Sequence, residues 1–181
     1  MKTNIKIIAE LLNAYDPSLE QERLFKRAML DFAHQHADCF ERSNLAGHFT
    51  ASAWLLDQSG NKALLMHHRK LDRWFQLGGH ADANHLLLDV AIKETQEESG
   101  ISVIRSISRE IFDLDIHEIP ANTQDPRHFH FDVRFLLQVA SNQEVKLNSE
   151  SKELRWIGKE IHELPTNSPS VVRMFTKWLA L

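Results

Sequence analysis

Cysteine is nearly absent. Cys39 is the single one in 181 residues, so no disulfide can close within the chain; this suits a reducing compartment, and a cytoplasmic setting is expected. A surplus of positive charge is also missing. With 21 Lys and Arg against 25 Asp and Glu the formal net charge is −4, which argues against a general binder of nucleic-acid polymers. A small phosphorylated substrate stays compatible with that balance, because it needs only a local cation or metal. No apolar run is long enough to span a membrane. The opening residues Met1–Asn4 lead into a short amphipathic segment broken by Glu10, which reads as neither a signal peptide nor a span. Repeats and low-complexity tracts are lacking as well. What remains is 43% apolar and 25% charged residues, ordinary for a globular protein with chain enough for a sizeable core.

The most informative stretch is GGHADANHLLLDVAIKETQEESGI, Gly78 to Ile101. Its second half predicts a helix, with Asn84 as N-cap and Gly100 as the left-handed stop. On it Glu94, Glu97 and Glu98 stand at i, i+3 and i+4 and share one face. At roughly 100° per residue, Leu87, Val90 and Ala91 fall on that same stripe, while Asp89, Lys93 and Gln96 form the polar back. Like charges at this spacing repel by about 0.2–0.5 kcal/mol each even in water, and burial adds to the cost. No Lys or Arg is expected on the stripe, so a hard divalent cation, Mg2+ or Mn2+, is the fitting partner for these oxygens. The competing reading is an ordinary solvated acidic face. The apolar neighbours and the Gly78-Gly79 turn weigh against it.

These residues resemble the signature of the Nudix hydrolases. In that pattern a glycine, five residues, a glutamate and seven residues lead to Arg-Glu-apolar-x-Glu-Glu-x-Gly-apolar. Gly79 matches the first glycine, and Glu94, Glu97, Glu98, Gly100 and Ile101 match the second half. Three positions depart: His85 stands in place of the first glutamate, Lys93 in place of arginine, and Thr95 in place of an apolar residue. Lys93 keeps the charge but lacks the planar fork that orients a carboxylate. The resemblance implies that Glu94, Glu97, Glu98 and a backbone carbonyl at Gly78 or Gly79 hold the metal, and that Glu97 or Glu98 shares the role of base. It implies an α+β fold: an α/β/α sandwich around a mixed sheet, here preceded by an N-terminal helical pair.

Along the chain, Ile5, Ile8, Leu11, Leu12 and Tyr15 have helical spacing, and Asp16-Pro17 ends that helix. Ser18 and Gln21 suggest a capping box. The helix that follows runs to about His36, with Leu24, Phe25, Ala28, Met29, Phe32 and Ala33 on one face. This pair, within residues 1–42, is expected to pack on a hydrolase domain of residues 43–181, to shape its cleft, or to mediate a homodimer. Cys39 and Phe40 are expected in the core. Residues 48–57 and 62–68 read as a hairpin about Gln58–Asn61. His67, His68, Arg69 and Lys70 then form a polar cluster, either a solvated strand end or a phosphate-facing rim. Trp74 and Phe75 suit core packing or base stacking. Asp82 suits the start of the helix. Residues 101–111 read as a strand, and Pro120 to Arg127 as a long loop.

His128 to Phe135 alternates with period two, which puts His128, His130, Asp132 and Arg134 on one side. Three readings compete there: a polar side in water, a phosphate-binding side, or a His-x-His metal site independent of the glutamates. Ser141–Gln143 is a turn, and residues 153–157 a late strand. Glu118, Glu150 and Glu153 are candidates for the distal acid the resemblance implies. Ser168-Pro169 starts a last helix with Val171, Val172, Phe175, Trp178 and Leu179 on one face.

The function implied is a Mg2+-dependent pyrophosphohydrolase cleaving a nucleoside diphosphate linked to another moiety, with Arg69, His128 and His130 as substrate-binding residues. The alternatives are a non-catalytic nucleotide-binding or regulatory module, motivated by His85 and Lys93, and a metal-dependent isomerase on the same fold.

Overall fold

The computed structural model describes residues 3–121, 123, 126–141 and 144–181. Met1 and Lys2, most of the centre of the 120–127 loop (122, 124 and 125) and the turn residues Asn142 and Gln143 lie outside the described residues. Two helices come first, α1 (Thr3–Ala14) and α2 (Glu20–Gln35). Strands β1 (Gly47–Leu56), β2 (Ala63–His68), β3 (Arg73–Phe75) and β4 (Leu77–His80) lead to α3 (Leu87–Ser99). After it come β5 (Ile104–Ser106), β6 (Asp113–Ile119), β7 (His128–Val139), β8 (Ser151–Ile157) and α4 (Pro169–Leu179).

The sheet is mixed. β1 lies at its centre, parallel to β7 along its whole length, from Gly47 opposite Phe129 to Leu56 opposite Gln138. Its other edge is shared: β4 pairs with residues 50–53 and β2 with residues 55–56, both antiparallel. β2 carries β3 and β8, and β7 carries β5 and β6.

Alternation along β1 and β7 divides the core. Phe49, Ala51, Ala53 and Leu55, with Phe131, Val133, Phe135 and Leu137, pack against α1, α2 and α3. Trp54, Leu56 and Leu136 face α4, whose Val171, Met174, Phe175 and Trp178 are fully buried. Burying side chains of this size contributes about 1.5–3 kcal/mol each, which anchors the last helix to the sheet. The expected sandwich and helical pair are thus formed, and Cys39 and Phe40 are buried as expected. Among the described residues no helix is long and apolar enough to cross a membrane.

Local details differ from the sequence reading. The Ser18–Gln21 capping box does not form; α2 begins at Glu20, and the Ser18 hydroxyl instead donates to Glu22 Oε2 at 3.4 Å. Leu24 and Ala28 are exposed, while Glu22 is buried. The cause is a polar knot: Tyr15 and Lys177 both donate to Glu22, and Lys177 reaches on to Asp113 at 3.0 Å. That knot turns the Glu22 side of α2 inward and ties the helical pair to α4. Strand β5 is three residues long rather than spanning 101–111. Leu179 is exposed at the end of α4. Ser168 is the N-cap of α4 by position, with Pro169 at its first turn, but its hydroxyl makes no capping bond.

Candidate functional site

The site begins where β4 meets α3. Gly78 lies opposite Ser52 of β1 with φ +154°, and a Cβ there would stand 2.4 Å from the Ser52 Cα. Only glycine fits that approach. A Cβ on Gly79 would stand 2.2 Å from Oε2 of Glu94, so the glutamate occupies the space a side chain would take. The Gly78 N–H donates to Glu98 Oε2 at 2.8 Å. Neighbouring residues of one strand therefore touch two of the three carboxylates.

α3 starts later than the sequence suggests. Its N-cap position is Leu86, and the Asn84 side-chain oxygen, two residues earlier, accepts the Leu86 N–H at 3.0 Å. Gly100 ends it in the left-handed conformation at φ 72°, as expected. Leu87, Val90, Ala91 and Glu98 are buried along one stripe, with Thr95 beside them. Thr95 is accommodated because its hydroxyl donates to the Ala91 carbonyl at 2.6 Å. Burial pushes the Glu98 carboxyl up to about 8, helped by the charges of Glu150, Glu94 and Glu97 and opposed by the Gly78 N–H.

Glu97 lies on the exposed edge of the stripe, and here the sequence expectation is corrected. Lys93 reaches across the helix, with Nζ 3.0 Å from both Glu94 Oε1 and Glu97 Oε2. Its flexible stem lets it serve a face its Cα does not share. The lysine is 61% exposed, so each pairing is of the surface kind, worth about 0–1 kcal/mol and weak enough to yield to a dication. His85 stands half-buried in the preceding loop. Asp82 does not serve the helix; Arg42 holds its carboxylate through two hydrogen bonds.

Of the distal acids, Glu118 pairs with Arg127 and Glu153 with Arg155. Glu150 alone of these three acts on Glu98 through its charge. Arg69 clasps the segment bearing it: its guanidinium donates to the carbonyls of Ser149 and Ser151 at 3.0 and 2.8 Å, and its backbone N–H to that of Glu150 at 2.7 Å. His67 stacks on Trp74 at 5.0 Å, and the Arg155 guanidinium lies over the Trp74 ring at 4.6 Å. His68 accepts the Leu71 N–H.

The polar side of β7 is not in water. Asp132 and Arg134 are buried, and Asp132 accepts from Thr50, Ser52, Gln76 and Arg134. Arg134 and Arg173 both donate to Asp113. Burial alone would raise Asp113 and Asp115; hydrogen bonds, Arg173's among them, and the charges of Arg134 and Arg173 outweigh it and hold both below the usual carboxylate range.

Beyond this layer lies a group of imidazoles that the sequence only half reveals. His130 faces His48 across the parallel pair and His117 across β6. Ring centroids stand 4.8 Å apart for His48 and His130, 5.1 Å for His48 and His128, and 4.9 Å for His80 and His130. Burial lowers His48 to about 4 and His130 to about 2, and the neighbouring imidazoles, His80 first, push the same way. Among the described residues, neither nitrogen of His48 nor Nε2 of His130 has a hydrogen-bond partner. The Asn44 backbone acts on His48 in the opposite sense, favouring its charged ring. A buried polar atom left so costs about 1–3 kcal/mol. The alternation of β7 signals His128 and His130; His48 and His117 join them through strand register, which no local pattern encodes.

The NUDIX domain family model matches residues 47–179, from the start of β1 to the end of α4. No curated protein matches. Among solved structures, a Caenorhabditis elegans Ap4A hydrolase in a binary complex is 18% identical with a TM-score of 0.58, covering 73% of this chain and 95% of its own. A NUDIX-family hydrolase from Clostridium perfringens is 23% identical with a TM-score of 0.51, covering 74% and 97%. Both share the fold. With the family model spanning most of its length, the chain belongs to the Nudix hydrolases, enzymes of phosphoanhydride bonds that generally use divalent metal ions and small nucleotide-type substrates.

Proposed function

We propose that the protein is a Mg2+-dependent pyrophosphohydrolase, Mn2+ serving in its place, that cleaves a nucleoside diphosphate linked to another moiety in the cytoplasm. The observation carrying this reading is the contact of Gly79 and Gly78 with the Glu94 and Glu98 carboxylates. Glu94, Glu97, Glu98 and a carbonyl of the glycine turn are the metal ligands in this reading. The donor set fits: hard oxygens suit Mg2+, and the buried Glu98, which among the described residues has the Gly78 N–H but no cation as partner, lacks compensation that a dication supplies. When bound, the ion neutralises phosphate charge and acidifies the attacking water.

The chain's own part is positioning. Gly78 fixes one Glu98 oxygen through its N–H, and the missing Cβ of Gly79 lets Glu94 lie against the strand. Glu97, open to solvent, or Glu98 takes the proton of the water. Glu150 is the distal acid best placed to act with them, since its charge reaches Glu98. Arg69 serves the substrate side indirectly, by holding the Glu150 segment. Residues 1–42 act as a helical extension on the 43–181 domain, supported by the core that Ile8, Leu12, Met29 and Phe32 share with β1.

A non-catalytic nucleotide-binding module is the second reading, favoured by Lys93 sitting on Glu94 and Glu97. Phosphate release from a panel of nucleoside diphosphate conjugates, with and without Mg2+, separates the two. Turnover requiring the ion supports the hydrolase; tight binding with no turnover supports the module.

A further inference from the structure

We propose that His48, His128 and His130 form a metal site of their own, for a borderline transition-metal ion of the Zn2+ class, apart from the glutamates. Among the described residues these three offer ligand atoms that all lie within 4.8 Å of one another. Around a single zinc, at about 2.0–2.1 Å per bond, three nitrogens sit roughly 3.3–3.5 Å apart, so imidazole rotation is the movement that closes the site. Oxygen ligands suit Mg2+, but imidazole nitrogens suit Zn2+, Co2+ or Ni2+.

The second observation is the unpartnered nitrogens. Among the described residues Nε2 of His130 has no hydrogen-bond partner, and His48, 3% exposed, has no side-chain partner for either ring nitrogen, the Asn44 backbone being the one group that favours its charged form. His128 supplies the orientation that metal-bound imidazoles ordinarily need. Its Nδ1–H donates to the Pro126 carbonyl at 2.9 Å, which leaves the Nε2 lone pair free for an ion. Two further imidazoles flank the set: His80 beside His48 and His117 beside His130.

Strand alternation separates this site from the acidic one. A Cβ on Gly79 would point at Glu94, whereas the next residue, His80, presents its ring to His48 and His130 on the opposite side of β4. His48 pairs with His130 across β1 and β7, so an ion here clamps the ends of two parallel strands far apart in sequence. Three protein ligands leave a fourth position for water or a phosphate oxygen.

The test uses the full-length, tag-free protein, stripped of metal and kept in excess Mg2+. Co2+ is titrated by visible absorption and counted by elemental analysis after dialysis. The proposal predicts one Co2+ per chain with a nitrogen-ligand spectrum, displaced by Zn2+, and an unfolding midpoint that rises with the ion. His128→Gln and His130→Gln each weaken binding by about tenfold or more, and Glu98→Gln leaves it unchanged. His128 is partly exposed, so its variant keeps the test open if His130→Gln fails to fold. No stoichiometric binding, binding indifferent to His128→Gln, or binding lost in Glu98→Gln overturns the proposal.

Discussion

Gly79 and Glu94 share one volume: the carboxylate sits where the glycine's side chain would begin, its Oε2 2.2 Å from that point. Gly79→Ala should therefore move the glutamate and spare the fold, because the atom displaced is the far end of a flexible side chain. Mg2+-dependent turnover is expected to fall about tenfold or more, with stability changed by about 1 kcal/mol. Steady-state kinetics beside a denaturant melt check this. In a Glu94→Gln background the same change should add little, the mark of two residues acting as a unit.

Gly78→Ala should do the reverse. Its Cβ would collide with the backbone of Ser52, at a φ of +154° that side chains rarely adopt. A loss of about 3 kcal/mol or more is expected, read from the denaturation midpoint, since neither neighbour can move aside cheaply.

Acid should loosen the α4 contact. Against the opposing effect of burial, Asp113 is held below its ordinary range chiefly by Arg173 and Arg134, and Asp115 by the His117 hydrogen bond followed by the same two arginines. Groups lowered in the folded state contribute stability above the unfolded carboxylate value, about 4, and lose it as pH falls through the folded value. The unfolding midpoint should drop below about pH 4, with a shallower slope in Asp113→Asn. That variant should also lose about 3–5 kcal/mol at neutral pH, because two buried guanidinium groups lose a partner. An acid limb of equal slope in both proteins would contradict this account.

Glu150→Gln should lower turnover while leaving the unfolding midpoint in place, since Glu150 is exposed and reaches Glu98 only by its charge. Glu118→Gln and Glu153→Gln should leave the rate near wild type, each acid being paired with an arginine instead. Rates of the three variants side by side decide which distal acid belongs to the site.

Much of the architecture was legible because it is written in local periodicity. The stripe of Leu87, Val90, Ala91 and Glu98, the stop at Gly100 and the alternation of β7 each follow from chain geometry within a few residues. What was not legible depends on partners distant in sequence. Glu22 is buried because Tyr15 and Lys177 meet it, an encounter that no helical wheel contains. Asp132 and Arg134 are inside because Thr50, Ser52, Asp113 and Arg173 reach them or their partners. The histidine group needs the β1–β7 register, which sets His48 against His130. Lys93 escapes the helical wheel for a different reason: a Cα position does not confine a long side chain, and its ammonium reaches Glu94 and Glu97.

The central claim is that carboxylates of α3, drawn in against the glycine strand, carry metal-dependent hydrolysis. Glu98→Gln keeps the size and the shape of the side chain while removing its charge. Turnover of the best nucleoside diphosphate conjugate at saturating Mg2+ is predicted to fall about a hundredfold or more, with an unchanged or higher unfolding midpoint. A variant that hydrolyses at the wild-type rate would contradict the account.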